Sequence, residues 1–237
     1  MKNLTCEINK NKIIKTVNIG DFKALCIDNF LMQPDTIESY ARESSFTPYP
    51  GYEEGKGYPG VRASAPENYS YNLTLFLEPL IKNTFNVGKN KDIRKSMCAM
   101  SLLTTPESLL SPLQSTPHFD SSEPEHIAAV FYLCSPQQGG TAFYKHKATG
   151  LQRLTKQNVD KYLDAYYDEL NTRLPKPTYC LNNSDFFEKV GSIDAVYNRL
   201  VVYPGSILHN PFVPNPNLSI STKPDNGRLT INTFFNF

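Results

Sequence analysis

The sequence predicts a mainly β fold of the sandwich or barrel kind with flanking helices, on three observations. Beyond Lys95 the apolar residues fall into short runs rich in β-branched and aromatic side chains, separated by turn residues. Tyrosine and phenylalanine number 14 each, tryptophan is absent and the 18 prolines outnumber the 12 glycines, which suits many short strands joined by tight connections. At 237 residues the chain is long enough for one such fold, which often reaches roughly 200–250 residues without dividing.

Taken in order, residues 1–95 read as an α/β segment packing on the core formed by residues 96–237. Ala24 to Ile27 reads as a strand. Asp35-Thr36-Ile37-Glu38 has the form of a capping box, and Ile37, Tyr40 and Ala41 follow at helical spacing, so a short helix is expected there. Thr47 to Tyr69 is rich in proline and glycine, including Tyr58-Pro59-Gly60, and is expected to be an ordered loop. From Tyr71, the residues Leu73, Phe76, Leu77, Leu80, Ile81 and Phe85 recur every three or four positions, the pattern of an amphipathic helix laid on the outside of a sheet. Strand-like runs then cover Met97 to Leu103, Ile127 to Cys134, Thr141 to His146, Arg199 to Tyr203, Ser206 to His209 and Arg228 to Phe237. Between Ala148 and Val196 a helical insertion is expected, about residues 149–195, in which Val159, Leu163, Tyr166, Leu170 and Leu174 repeat until Pro175. It is either a lid over a site or a helix closing one end of a barrel.

Lysine plus arginine (24) nearly balance aspartate plus glutamate (23), leaving a formal charge of +1, so the totals announce no nucleic-acid or acidic-membrane partner. The five cysteines, Cys6, Cys26, Cys98, Cys134 and Cys180, are widely spaced and form no Cys-x-x-Cys pair, which argues against a disulfide framework or a cysteine zinc site. No apolar run approaches the ~20 residues that a membrane-spanning helix requires. Met1 to Asp21 has no continuous apolar stretch before a small-residue cleavage site, so a cytoplasmic protein without a membrane partner is expected.

The chemistry is carried by Pro117-His118-Phe119-Asp120. On an extended chain alternate side chains point to one face, so His118 and Asp120 can reach one metal. His209 follows a strand and the turn Pro204-Gly205 and is the candidate third ligand. Two imidazoles and one carboxylate on one face of an octahedral ion form the facial triad of non-haem Fe(II) oxygenases, with positions left open for cosubstrate and dioxygen. In the last run Arg228, Thr230 and Asn232 share a face that would point into the barrel. A guanidinium buried there requires an internal acid or a bound carboxylate, and its fork suits a carboxylate bidentately. Arg199 and Arg228 compete for that role, one as ligand and the other as internal salt-bridge partner, and order after His209 favours Arg228. His126 and His146, the remaining histidines, are expected at the surface, and Asp120 has the alternative of capping a turn at Ser121-Ser122.

His118-x-Asp120, then His209, then Arg228-x-Thr230 on the following strand resembles the signature of the Fe(II)/2-oxoglutarate-dependent dioxygenases, whose core is a double-stranded β-helix of the jelly-roll or cupin-like type. Ala128 to Leu133 followed by Gln138-Gly139-Gly140-Thr141 is similar to the prolyl-hydroxylase-like branch, and Tyr197 to Tyr203 with Gly140 to Tyr144 resembles a bacterial subgroup of it. The resemblance spans about Met97 to Phe237 apart from the insertion. It implies His118, Asp120 and His209 as catalytic iron ligands, and Arg228 as partner of the distal 2-oxoglutarate carboxylate with Thr230 and Tyr132 assisting. The implied activity consumes O2, releases succinate and CO2 from 2-oxoglutarate and hydroxylates a C–H bond. Halogenating relatives lack the carboxylate that Asp120 supplies, so its presence implies hydroxylation.

The expected substrate is a small molecule or amino acid, with a peptide as the other option. Two other function classes use the same residues: a zinc-dependent hydrolase on the same three ligands, which leaves the arginine without a purpose, and a non-catalytic cupin-like binding protein, against which the intact ligand set argues.

Overall fold

Runs of alternating and continuous apolar residues become ten strands in the described part of the computed structural model, which covers residues 4–48 and 57–237. The strands are β1 (Ile13–Ile19), β2 (Phe22–Asp28), β3 (Gly60–Ser64), β4 (Arg94–Leu103), β5 (Ile127–Tyr132), β6 (Gly140–His146), β7 (Phe187–Asp194), β8 (Arg199–Pro204), β9 (His209–Phe212) and β10 (Leu229–Asn236). Three longer helices accompany them, α1 (Asp35–Glu43), α2 (Glu67–Thr84) and α3 (Val159–Thr172). No helix among the described residues is long and apolar enough to cross a membrane.

Seven strands form one sheet in the order β1-β2-β8-β5-β10-β4-β3, and three form a second in the order β7-β6-β9. Every pairing is antiparallel, and a single bridge between His118 and His209 adds a further short rung beside β9. The strands β2-β8-β5-β10 of the large sheet share a buried interior with β6 and β7 of the small sheet: this is a double-stranded β-helix of the jelly-roll type.

The sequence makes the large sheet bury both faces. Along β5, Ile127, Ala129 and Phe131 join a core with Ile37 and Ala41 of α1 and Leu73, Leu77 and Ile81 of α2. The intervening Ala128, Val130 and Tyr132 join a second core with Phe143 of β6 and Ile193 of β7. A strand covered on both sides loses the apolar–polar alternation, which is why β5 reads as one continuous apolar run. In β10, Leu229, Ile231 and Phe235 face the helices, so Thr230 and Asn232 face the interior. Arg62 of β3, Ser101 of β4, Thr230 of β10 and Tyr132 of β5 lie directly opposite one another in sequence of strands, forming one row on that inner face.

Four expectations are corrected. The stretch Thr47 to Tyr69 is not loop throughout: β3 runs from Gly60 and pairs with β4, α2 opens at Glu67, and residues 49–56 lie outside the described part. The stretch 149–195 holds α3 as expected but ends in β7, the edge strand of the small sheet, whose Glu188, Lys189 and Asp194 with a central Gly191 disguise it. The strand expected at Ser206 to His209 begins only at His209, because Gly205 and Ser206 form the turn. The Asp35 carboxylate does not cap α1: it lies within the first turn, where its charge suits the helix N-terminus, and no side chain closes the cap.

The Gly-Gly turn before β6 is set by backbone geometry. Gly139 has φ +99°, and a Cβ there would collide with the Phe212 carbonyl oxygen at the start of the connection after β9. Gly139→Ala is therefore expected to lower stability by about 2–4 kcal/mol, from left-handed backbone strain plus overpacking. A urea melt of that variant with an unchanged midpoint would show that the turn relaxes freely.

Candidate metal centre and its cavity

Main-chain pairing sets the geometry of the candidate metal centre. The His118 N–H donates to the His209 carbonyl at 2.9 Å and the His209 N–H donates back to the His118 carbonyl at 2.8 Å. Two residues on, the Asp120 N–H donates to the Gly205 carbonyl at 2.7 Å. Residues directly opposite in an antiparallel pair project to the same side, and so does the residue two further along. The two imidazoles consequently stand with ring centroids 4.4 Å apart and the carboxylate beside them.

One ligand atom from each of His118, Asp120 and His209 lies within 4.8 Å of the other two. His118 Nε2 is 3.9 Å from Asp120 Oδ1, and His209 Nε2 is 3.7 Å from Asp120 Oδ2. His209 Nδ1 is 2.8 Å from the Ile207 carbonyl oxygen and, facing an acceptor, donates to it, which leaves Nε2, turned towards Asp120, as the nitrogen that can serve as a ligand. Burial, with His209 and Arg62 nearby, holds the His118 imidazole well below its ordinary pKa. Half of the His118 side chain remains open, and it opens into the cavity that it lines. Burial raises the Asp120 carboxyl, opposed by His209, His126 and Arg62. Asp120 Oδ2 is itself a buried oxygen without a hydrogen-bond partner. Two imidazole nitrogens beside a buried carboxylate oxygen that lacks a hydrogen-bond partner are a donor set that a divalent cation completes, so these residues fit such an ion.

The centre opens into a cavity of about 420 Å³. The volume is that of a small-molecule site. Tyr162, Leu163 and Tyr166 of α3 form one wall. Arg228, immediately before β10 and only 3% exposed, lines the same cavity as the three candidate ligands. Its Nη2 donates to the Gly140 carbonyl at 2.9 Å, and its guanidinium carbon lies 5.6 Å from the centre of the Tyr132 ring. Arg228 Nε has no partner, and no acid among the described residues pairs with the guanidinium. Arg199 is the other case: its Nε and Nη2 grip the Asp28 carboxylate at 2.5 and 3.1 Å, outside the cavity. Arg199 is thus the internal salt-bridge arginine.

Tyr132 and Thr230 sit one layer behind the cavity wall. The Tyr132 hydroxyl, pushed up to about 12 by burial, pairs with Thr141 Oγ1 at 2.6 Å, and it is Thr141 that reaches the cavity. Thr230 Oγ1 donates to Asn232 Oδ1 at 3.0 Å, and Asn232 reaches the cavity. Tyr58 and Arg62, from the stretch expected as loop, also line the wall, with the Arg62 guanidinium 5.1 Å above the Tyr58 ring.

The two remaining histidines are not surface residues. His146 is fully buried, hydrogen-bonded to Glu169 of α3 at 2.8 Å and to Thr149 at 2.9 Å, and so pins α3 to β6. His126 is 9% exposed and bonds Asn236 Oδ1 at 2.7 Å. It packs behind Gly205: a Cβ at Gly205 would stand 2.5 Å from His126 Cδ2 and 3.1 Å from Asp120 Oδ2. Neighbouring charged and turn residues disguised both burials.

Among solved structures the chain is similar to HygX from Streptomyces hygroscopicus with nickel and 2-oxoglutarate bound, at 12% identity and a TM-score of 0.49 over 90% of this chain and 82% of that one. The same protein with nickel, 2-oxoglutarate and hygromycin B bound matches at 12% identity and a TM-score of 0.46 over the same shares. EvdMO1 matches at 10% identity and a TM-score of 0.36, over 95% of this chain and 55% of that one. No curated protein matches the sequence. Residues 10–235 match a family of unknown function, DUF6445.

Because Asp120 and His126 close on Gly205 from both sides, Gly205→Ala is expected to turn the carboxylate away and weaken Mn(II) binding by about 10–100-fold, the range for a change just behind a ligand. An unchanged Mn(II) dissociation constant in that variant would show that the ligand set does not depend on this contact.

Proposed function

The chain belongs to DUF6445, a family of unknown function, and we propose that it is an Fe(II)- and 2-oxoglutarate-dependent oxygenase that hydroxylates a C–H bond of a small molecule or amino acid. The observation that carries this reading is Arg228: a permanently charged, 3% exposed guanidinium without an acid, facing the cavity that also holds the two histidines and the aspartate. An uncompensated buried charge costs several kcal/mol, so the cavity favours an anionic ligand. A zinc hydrolase would use the same three ligands and leave that charge without a role.

Bound together, ferrous iron and 2-oxoglutarate would supply oxidising power from O2, with 2-oxoglutarate leaving as succinate and CO2 while a substrate C–H becomes C–OH. The protein's part is positioning. His118 and His209 would offer neutral nitrogen lone pairs and Asp120 a negative oxygen, which leaves one face of the ion open. Arg228 would receive the carboxylate at the far end of the cosubstrate. Thr141, held by Tyr132, and Asn232, held by Thr230, add polar contacts along the way. Residues of α3 and Phe119 line the cavity beside the centre, and a cavity of this size supports a small substrate over a long peptide. The Tyr132–Leu133 and Gly139–Gly140 features support placement in the prolyl-hydroxylase-like branch.

The wild-type protein, purified without oxygen and supplied with Fe(II), is expected to release succinate from 2-oxoglutarate when O2 is admitted. His118→Ala or His209→Ala should abolish both iron binding and turnover. Absence of succinate from iron-loaded wild type across a metabolite panel would argue against the reading.

Arg228→Ala should keep its iron yet weaken 2-oxoglutarate binding by about two to four powers of ten, the equivalent of the roughly 3–5 kcal/mol lost when one partner of a buried ion pair is removed. Arg228→Lys should restore only part, because an ammonium cannot reproduce the planar fork. An unchanged 2-oxoglutarate half-saturation in Arg228→Ala would assign the anion to another cation.

A further inference from the structure

We infer that Tyr58, in the turn that leads into β3, is the second anchor of the cosubstrate's distal carboxylate, so that the segment preceding the jelly roll supplies one jaw of that pocket and Arg228 the other. The inference rests on the 2-oxoglutarate reading above and adds to it a residue that the strand pattern did not mark.

Two unsatisfied atoms carry it. Tyr58 Oη and Arg228 Nε are both buried, neither reaches an acceptor in good hydrogen-bond geometry, and both side chains line the same cavity, where the phenol and the guanidinium have chiefly each other. They are close enough that the Arg228 charge acts on the phenol, opposing the rise that burial imposes. Arginine can only donate, so an acceptor must complete its Nε. A phenol can donate as well, and one acceptor with several lone pairs beside a positive charge satisfies both groups at once. A carboxylate has that form. The ring is held in place: it packs with Leu103, Leu110, Tyr179 and Val213 and lies beneath Arg62. The hydroxyl expected from the sequence to share this task, Thr230, has its proton committed to Asn232.

The test is calorimetric titration of the full-length protein loaded with Mn(II) under anaerobic conditions, using two probes. One is 2-oxoglutarate; the other is 2-oxobutyrate, a 2-oxo acid lacking the distal carboxylate. Tyr58→Phe should weaken 2-oxoglutarate binding by roughly 10–100-fold, as for a hydrogen bond to a charged group, and leave 2-oxobutyrate binding unchanged. Without ligand the variant should melt close to wild type, because it keeps the packed ring and removes only a hydroxyl whose neighbour, the Arg228 guanidinium, retains its bond to the Gly140 carbonyl. Tyr69→Phe, which removes another buried and unpartnered hydroxyl in the core beneath α2, should change neither affinity. Equal affinities for 2-oxoglutarate in wild type and Tyr58→Phe would overturn the inference while leaving the oxygenase reading intact. An equal loss for both probes would overturn it too, by marking the hydroxyl as structural. A wild-type protein that binds Mn(II) but no 2-oxoglutarate would bring down the oxygenase reading, and this inference with it.

Discussion

The reciprocal pair of main-chain hydrogen bonds between His118 and His209 is the constraint on which the site depends. The two residues are 91 positions apart in the numbering, yet once their backbones are paired there is no freedom left in which side of the small sheet either ring occupies. A slip of one residue in either segment would leave the two rings on opposite faces. Asp120 is fixed by the same logic through its bond to the Gly205 carbonyl, and the tight turn that places Gly205 there admits no side chain between the carboxylate and His126. Ligand geometry is thereby inherited from strand register, and side-chain packing has only to hold what the backbone has already placed.

That register is itself protected by the way the large sheet is buried. Its central strands place one set of residues against α1 and α2 and the alternate set against the small sheet, so a slip in β5, β8 or β10 would exchange two differently shaped cores. Polar groups occur on the inner face in and behind the cavity wall, in the row that runs from Arg62 through Ser101 and Thr230 to Tyr132. Each buried polar group that finds no partner in such an interior costs free energy. Among the residues that line this cavity, Asp120 Oδ2, Tyr58 Oη and Arg228 Nε lack a well-formed hydrogen bond, the last two having chiefly each other.

The sequence made the most heavily covered elements legible and the edges obscure. The unbroken apolar run of β5 and the three- and four-residue spacing of α2 declared themselves because burial on a whole face leaves a period. The strands β1, β3 and β7 did not, since each lies at or near an edge and carries charge or glycine on its open side. Within the site, alternation correctly put His118 with Asp120 and Thr230 with Asn232, but it specifies a face and not a depth. Tyr132 and Thr230 therefore proved to stand behind Thr141 and Asn232. Tyr58 belongs to a turn, which has no period to betray it, and His146 sits between lysines that gave no hint of its burial.

The pinning of α3 by the His146–Glu169 contact has a mechanical consequence. Because Glu169 is tied to β6, the helical wall is anchored to the small sheet, which also carries His209 and, through the paired backbones, His118. Arg228 belongs to the opposite sheet, as the residue that enters β10. A cosubstrate held by the metal at one end and by the guanidinium at the other would then span the gap between two layers whose spacing is set by the packed side chains of the jelly roll. In that arrangement the protein core acts as a ruler: a diacid one carbon shorter would fall short of one sheet, and one carbon longer would have to buckle or push the layers apart. Selection for chain length would come from the whole interior and not from any single contact.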